Sequence, residues 1–366
     1  MRSLLVTGGA GFIGANFVHY WAERNPEDRI VVLDALTYAG NMANLAGLEP
    51  ITDYQFVHGD IADIELVSSL FAEHNFNTVV HFAAESHVDR SIHEPDAFIQ
   101  TNVIGTHNLL RVAREAWLDR DDAPATHRFH HVSTDEVYGT LGADDPAFTE
   151  RTPYAPNSPY AASKAASDHL VRAYHHTFGL QVTTSNCSNN YGPYQFPEKL
   201  IPLMIVNALT GEPLPVYGDG SNIRDWLYVE DHCRGIELVL TEGVVGETYN
   251  IGGNNERCNL DIVNDICRRI DAVFVASPGL ADDFPDAPAA SGQATDSLIT
   301  FVKDRLGHDW RYAIDATRSE TELHYAPLED FDSGLDRTIA WMLANESWWR
   351  AVMDGSYRDW LQKNYA

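Results

Sequence analysis

The sequence predicts an α/β fold: a doubly wound parallel sheet followed by a smaller, mixed C-terminal domain. Three observations carry this expectation. A glycine-rich turn, Gly8-Gly9-Ala10-Gly11-Phe12-Ile13-Gly14, follows the apolar run Leu4-Leu5-Val6 and opens a helical stretch. Further strand-like runs recur at Ile30–Leu33, Gln55–His58, Thr78–Phe82 and Arg128–Val132, separated by helical segments, and such alternation implies parallel strands. From about Gln181 the alternation weakens and turn-rich stretches appear, among them Ser188-Asn189-Asn190-Tyr191-Gly192-Pro193 and Val216-Tyr217-Gly218-Asp219-Gly220. The expected division is therefore a Rossmann-type dinucleotide-binding domain carrying the catalytic residues over 1–180. Residues 181–366 are expected mainly to bind substrate, with some segments returning to the first domain.

The glycine turn matches G-x-G-x-x-G, whose glycines let the backbone approach a pyrophosphate at the positive end of a helix dipole. A bare glycine pattern is weak evidence, but here a strand precedes it and Ile30–Leu33 ends in Asp34, about 20 residues past Gly14, where the ribose-binding acid is expected. An acid at that position repels the extra phosphate of NADP and favours NAD. Gly59-Asp60-Ile61 follows the third strand, placed to meet the adenine. Ala83-Ala84-Glu85-Ser86 follows the fourth, and its small residues permit close approach to the middle of the cofactor.

The chemistry is expected between Ser133 and Lys164. Ser133-Thr134-Asp135-Glu136 follows the fifth strand, at the sheet end where open α/β folds bind ligands. Tyr160 and Lys164 are four residues apart on a helical stretch and so share a face. A tyrosine is a poor base at neutral pH unless a cation favours its phenolate, and Lys164 is placed to supply one. Each motif alone has a plainer explanation, a helix N-cap for the acids and chance spacing for the Tyr-Lys pair. Their combination behind a dinucleotide fingerprint favours catalysis.

At 366 residues, 44% hydrophobic and 21% charged, the chain reads as an ordinary globular protein. Its formal charge of −28 argues against nucleic acid or an anionic membrane as a partner, since both require a basic face. With only four lysines, this acidity is also what molar salt would screen. There is no charged-then-apolar leader and no 18-residue apolar span, so a cytoplasmic location is expected. The cysteines Cys187, Cys233, Cys258 and Cys267 form no Cys-x-x-Cys pair, and the histidines match no metal-ligand spacing. No metal is expected.

Long helices are expected over Ala97–Trp117 and Ser158–Phe178, with apolar faces suited either to a homodimer or to burial within one subunit. Ala276–Asp296, rich in Ala, Pro, Asp and Gly, reads as an exposed connector. Trp341, Trp348, Trp349 and Trp360 are best explained by packing of a terminal helix. Lys199, Arg224 and Arg305 stand out as cations suited to a diphosphate, with pairing to acids such as Asp225 or Asp304 as the alternative.

Taken together, Gly8–Gly14, Leu33-Asp34-Ala35-Leu36-Thr37-Tyr38-Ala39-Gly40-Asn41, Ala84–Ser91, Ser133–Gly139, Tyr160-x-x-x-Lys164, Asn189–Leu200, Tyr217-Gly-Asp-Gly with Arg224-Asp225, and Phe301–Arg305 resemble the extended short-chain dehydrogenase/reductases that modify nucleotide sugars. Within them the chain is similar to the dTDP-glucose 4,6-dehydratases over nearly its whole length. The resemblance implies NAD kept tightly bound, contacted by Phe12, Ile13, Asp34, Ala35, Leu36, Thr37, Asp60, Ile61, Ala83, Ala84, Ser86, Thr101, Tyr160, Lys164 and Asn190. It implies a nucleotide-diphosphate glucose held by Ser86, Thr134, Asn189, Lys199, Leu200, Pro215, Val216, Tyr217, Arg224, Asn259, Arg305, His308 and Tyr312. Thr134, Asp135, Glu136, Tyr160 and Lys164 are the implied catalytic set, and deoxysugar biosynthesis of the rhamnose type is the implied setting. Leu306 stands where the family usually has proline and Trp310 where it has arginine, both near the expected nucleotide pocket. Two other readings remain open: another NAD-dependent nucleotide-sugar enzyme, such as a 4-epimerase, a UDP-glucuronate decarboxylase or a dehydratase for a different nucleotide, and a non-catalytic NAD-sensing regulator.

Overall fold

The computed structural model describes residues 2–121, 123–124, 126–304 and 307–353. Twelve strands are named in chain order: β1 Ser3–Thr7, β2 Arg29–Asp34, β3 Asp53–His58, β4 Thr78–His81, β5 Arg128–Thr134, β6 Val182–Cys187, β7 Asn189–Tyr191, β8 Leu214–Tyr217, β9 Ile223–Tyr228, β10 Thr248–Ile251, β11 Glu256–Cys258 and β12 Ile299–Val302. Seven of them form the central sheet in the order β10-β6-β5-β4-β1-β2-β3, with every pairing parallel. The expected doubly wound sheet is therefore present. β1, β2 and β4 are almost wholly buried, which explains their unbroken apolar runs: helices cover both faces of a parallel sheet.

Strand order reverses between β1 and β4, so the chains leaving their carboxyl ends diverge and open a crevice. On one face the core gathers Phe17, Val18 and Trp21 from the helix Phe12–Arg24 with Ile236 and Val239 from the helix Val229–Thr241. On the other it gathers Val67 and Phe71 from Ile64–His74 with Leu109, Leu110 and Val171.

The helix Pro159–Phe178 is defined by its ends. The Ser158 hydroxyl accepts from the Ala161 amide, Pro159 begins the helix, and Gly179 closes it with φ +79°, a conformation that suits glycine. The expected helix near 97–117 is also present, but as three joined pieces: Pro95–Phe98, a π-helical segment Ile99–Gly105, and Thr106–Leu118.

After β6 the chain builds the three-stranded sheet β11-β9-β7 and the parallel pair β12-β8, over a second core holding Ile205, Trp226, Ile266 and Phe331. β10 then returns to pair with β6 at the edge of the central sheet. The stretch expected as an exposed connector is only partly exposed. Phe284 and Ala287 are buried, Phe284 stacks on Trp349 with centroids 6.4 Å apart, and the Thr295 hydroxyl donates to Asp271 at 2.6 Å. Apolar side chains spaced among small ones carry no periodicity, so this burial had no sequence signal. Trp341 and Trp348 pack edge-on against Tyr194, and the Trp348 indole donates to the Asn44 carboxamide at 2.7 Å. Terminal-helix packing thus explains these residues, whereas Trp360 lies outside the described residues.

Candidate active site

A cleft opens at the carboxyl ends of β1, β4, β5 and β6. It is lined by Gly8, Gly11–Gly14, Asp34, Ala35, Thr37, Asp60, Ile61, Ala83, Ala84, Ser86, Thr101, Ser133–Glu136, Tyr160, Lys164, Asn189, Asn190 and Lys199. All five expected catalytic residues therefore meet in one place, with the expected cofactor residues except Leu36. Leu36 instead donates its amide to Asp34 at 2.8 Å and shapes the turn from φ +48°.

The glycine turn fits a bound pyrophosphate. Gly8 has φ +70°, and a Cβ there would lie 2.6 Å from the Ala83 nitrogen; one on Gly14 would lie 2.2 Å from the Gly8 carbonyl oxygen. The helix Phe12–Arg24 begins at Gly11 without a side-chain cap, which leaves its dipole end available to an anion. Asp34 accepts the amides of Ala10 at 2.9 Å and Leu36 at 2.8 Å. Two bonds leave its carboxylate acceptor capacity for a ribose hydroxyl. The Asn190 carboxamide oxygen faces the His232 ring at 2.9 Å while its nitrogen donates to the Ser188 carbonyl.

Burial governs the electrostatics. Asp135 is 1% exposed, and loss of water, the Glu136 charge and the Asp225 charge push its carboxyl well above the usual carboxylate range. One of its oxygens has no hydrogen-bond partner among the described residues, and neither does the buried carboxamide oxygen of Asn189. Unsatisfied acceptors lining a cleft suit a ligand with hydroxyl or amide donors. The Thr134 hydroxyl donates to Asp135 at 3.4 Å and caps the following turn by accepting from the Glu136 amide at 3.3 Å.

Tyr160 is likewise buried, and desolvation followed by the Glu136 charge raises its phenol, while Thr134 pulls the other way. The Lys164 ammonium, expected to help, donates to the Val132 carbonyl at 2.8 Å. Burial also lowers Lys164 itself, opposed by Asp168 and Cys187.

Ser86, Thr134, Asn189 and Lys199 line the cleft, and Arg224 and Tyr312 form a cluster beside it. Arg224 is buried, donates to the backbone carbonyls of Ile223 at 2.7 Å and Asp309 at 2.9 Å, and stands over the Tyr312 ring at 4.3 Å. Asp225 binds the amides of Gly253 and Asn255 instead of Arg224. Tyr217 packs edge-on against His308 and donates to Asp89 at 3.4 Å, and His308 pairs with Asp304 at 2.6 Å. Pro215 and Val216 lie on buried β8, Leu200 opens the helix Leu200–Thr210, and Asn259 opens Asn259–Ala276. None of these lines the cleft, but the cluster reaches it electrostatically: Arg224 acts on Asp135, and Glu136 on Tyr312. Trp310 contributes its backbone, accepting from Arg224 at 3.4 Å. Arg305 and Leu306 lie outside the described residues.

A family model described as GDP-mannose 4,6 dehydratase matches residues 5–338. A dTDP-glucose 4,6-dehydratase of Xanthomonas campestris pv. campestris is 57% identical over 359 residues, with 98% of each chain covered. The chain belongs to the dTDP-glucose 4,6-dehydratase family. The dTDP-glucose 4,6-dehydratase 1 of Escherichia coli K12 is 50% identical over 371 residues, covering 99% of this chain and 98% of that protein. A dTDP-glucose 4,6-dehydratase of Streptomyces venezuelae, solved with NAD bound, superposes with a TM-score of 0.82 at 47% identity, covering 96% of this chain and 99% of that one.

In this dehydratase fold Tyr38, Phe196 and Glu198, not singled out from the sequence, also line the cleft. Arg90 stands 3.8 Å from the Tyr38 ring centroid and donates to Glu198 at 3.3 Å. The Tyr38 ring meets Phe196 edge-on, and Lys199 donates to the Ser86 carbonyl at 3.3 Å. These contacts tie the loop after β2, the segment after β4 and the chain near 195–199 into one wall. The signal was available, because all of these residues fall inside motifs that carried the resemblance.

The raised Asp135 carboxyl predicts how stability depends on pH. The folded state keeps this proton where the unfolded chain has lost it, so stability is greatest below the ordinary carboxylate value of about 4 and falls as pH rises toward the folded value. Asp135→Asn cannot titrate. In urea unfolding it should gain on the wild type upward from about pH 4, by at most about 1.4 kcal/mol per pH unit. A gap that stays constant with pH would contradict this account of Asp135.

Proposed function

We propose that the protein is an NAD-dependent dTDP-glucose 4,6-dehydratase, a hydro-lyase giving dTDP-4-keto-6-deoxyglucose and water. The observation that carries this reading is the meeting of Asp135 and Glu136 with Tyr160 and Lys164 in the cleft that the glycine turn opens. An epimerase or decarboxylase of the same group needs the Tyr-Lys pair but no acid and base for losing water.

Gly8, Gly11–Gly14, Asp34, Asp60, Ile61 and Ala83–Ser86 would hold NAD, and Asn189, Lys199 and the Arg224–Tyr312 cluster the nucleotide diphosphate. When bound, NAD would supply the hydride acceptor for C4 of the glucose, the hydride donor for C6, and positive charge on its nicotinamide. Tyr160, helped by that charge and by Lys164, takes the C4 hydroxyl proton, with Thr134 bonding the same oxygen. The C4 ketone acidifies the C5 proton, which Glu136 removes. Asp135, which burial keeps protonated, donates to the C6 hydroxyl as it leaves as water. This splits acid and base roles between two adjacent carboxyls by environment. Glu136 then returns its proton to C5.

The division of labour follows the chain: 1–180 carries cofactor and catalysis, 181–366 mainly the nucleotide-sugar contacts. A homodimer is part of this reading. Ile99, Ile104, Leu118 and Phe178 are each at least 37% exposed on the two long helices, and large exposed apolar groups on neighbouring helices suit a helix-to-helix interface. No described helix is long and apolar enough to cross a membrane.

Incubation with dTDP-glucose, UDP-glucose, CDP-glucose and GDP-mannose should yield the alkali-induced absorbance of a 4-keto sugar from dTDP-glucose at the highest rate. No product from any of the four, with NAD retained, would favour the sensor reading. Glu136→Gln should lower turnover by about 10²-fold or more while reduced nicotinamide still accumulates on mixing with substrate. Full turnover in that variant would overturn the mechanism. Ile104→Glu should shift the protein from dimer to monomer in sedimentation, and an unchanged mass would move the interface elsewhere.

A further inference from the structure

Asp168 has no role in the reaction described above, yet its surroundings are those of a working residue. Tyr160, Lys164 and Asp168 are spaced by four and then four again on the helix Pro159–Phe178, so they form a stripe along one face. Asp168 is 5% exposed. One carboxylate oxygen accepts from the Ser133 hydroxyl at 2.8 Å and from the Tyr154 hydroxyl at 2.9 Å. The other lies 3.0 Å from Nε2 of His131.

The placement on β5 gives these contacts their meaning. Residues 131 and 133 point to the same side of a strand, here toward the helix, and both reach Asp168. Between them, Val132 offers the carbonyl that receives the Lys164 ammonium at 2.8 Å. Directly after them come Thr134, Asp135 and Glu136. One carboxylate thus locks the register of helix against strand at the point where the ammonium, the hydroxyl and the two acids must all be placed.

Charge points the same way. The groups facing Lys164 are Asp168 on its own helix, His131 on β5, His81 on β4 and Cys187 on β6. Burial drives His131 down to about 4 and His81 well below its ordinary value, so both rings are neutral at pH 7. The Cys187 thiol is pushed up and is uncharged. Asp168 is left as the counter-charge to a buried ammonium.

We propose that Asp168 is the third member of the Tyr160–Lys164 pair, a positioning residue whose carboxylate clamps the helix to β5 and balances the Lys164 charge. The proposal rests on the dehydratase reading for its effect on turnover, but not for its effect on Lys164. Asp168→Asn in the full chain keeps an acceptor for Ser133 and Tyr154 and removes the charge. It should lower kcat for dTDP-glucose about tenfold or more, leave KM within about threefold, and move the alkaline limb of the pH–rate profile to lower pH by about 1–3 units, the size of an opposite-charge effect. A side chain that only supports the fold would not move that limb.

A second measurement needs no substrate. The chain has four lysines, so side-chain carbon-13 labelling gives four lysine signals, and Lys164→Arg identifies the one that matters. Its titration midpoint should fall in Asp168→Asn by the same 1–3 units or so. Wild-type pH dependence of both the Lys164 signal and turnover in a folded Asp168→Asn protein would overturn the proposal. A moved Lys164 signal in a protein that dehydrates no nucleotide sugar would uphold the proposal and count against the dehydratase reading instead.

Discussion

An ammonium held away from water between a helix and a sheet needs compensation, and in this molecule that need organises the whole site. Lys164 is 4% exposed, and a buried unpaired charge costs far more than a fold of marginal stability can absorb. The Val132 carbonyl on β5 accepts from the ammonium, and the Asp168 charge on the same helix favours it. Their arrangement fixes Tyr160 one turn away and sets Thr134, Asp135 and Glu136 at the end of the strand. Chemistry and packing are here the same set of contacts.

The same exclusion of water explains why two neighbouring acids can differ. Asp135 is enclosed and pushed toward its neutral form, whereas Glu136 is only partly buried on the turn that Thr134 caps. Tyr160 pays for its enclosure by being harder to ionise. Its competence as a base therefore depends on positive charge placed to favour the phenolate.

Much of this was legible in the sequence, because the signals are local. The glycine turn, the apolar runs of β1 to β5, Asp34 at the end of β2 and the Tyr160–Lys164 spacing each lie within a few residues of one another, and all stand where the periodicities placed them. The acid pair was legible for the same reason. The wall built from Tyr38, Arg90, Phe196 and Glu198 was not assembled in advance, since it joins three segments far apart in the chain. Asp168 was missed because an acid on a helix ordinarily faces solvent, and only the position of Ser133 and His131 shows that this one faces inward. The burial of Phe284 depended on Trp349, again a distant partner. The division between cofactor and substrate halves remains a functional reading, since β10 comes from the second half and sits in the sheet of the first.

That late return of β10 bears on how the chain is made. During synthesis β6 emerges well before its outer neighbour, so the main sheet waits with one row of amides and carbonyls uncovered. Such a border invites pairing with another nascent chain. The helices Leu200–Thr210 and Val229–Thr241 and the β7–β9 pair, which lie between β6 and β10 in the chain, must form to bring the missing strand home, which makes the second half a folding partner of the first as well as its neighbour.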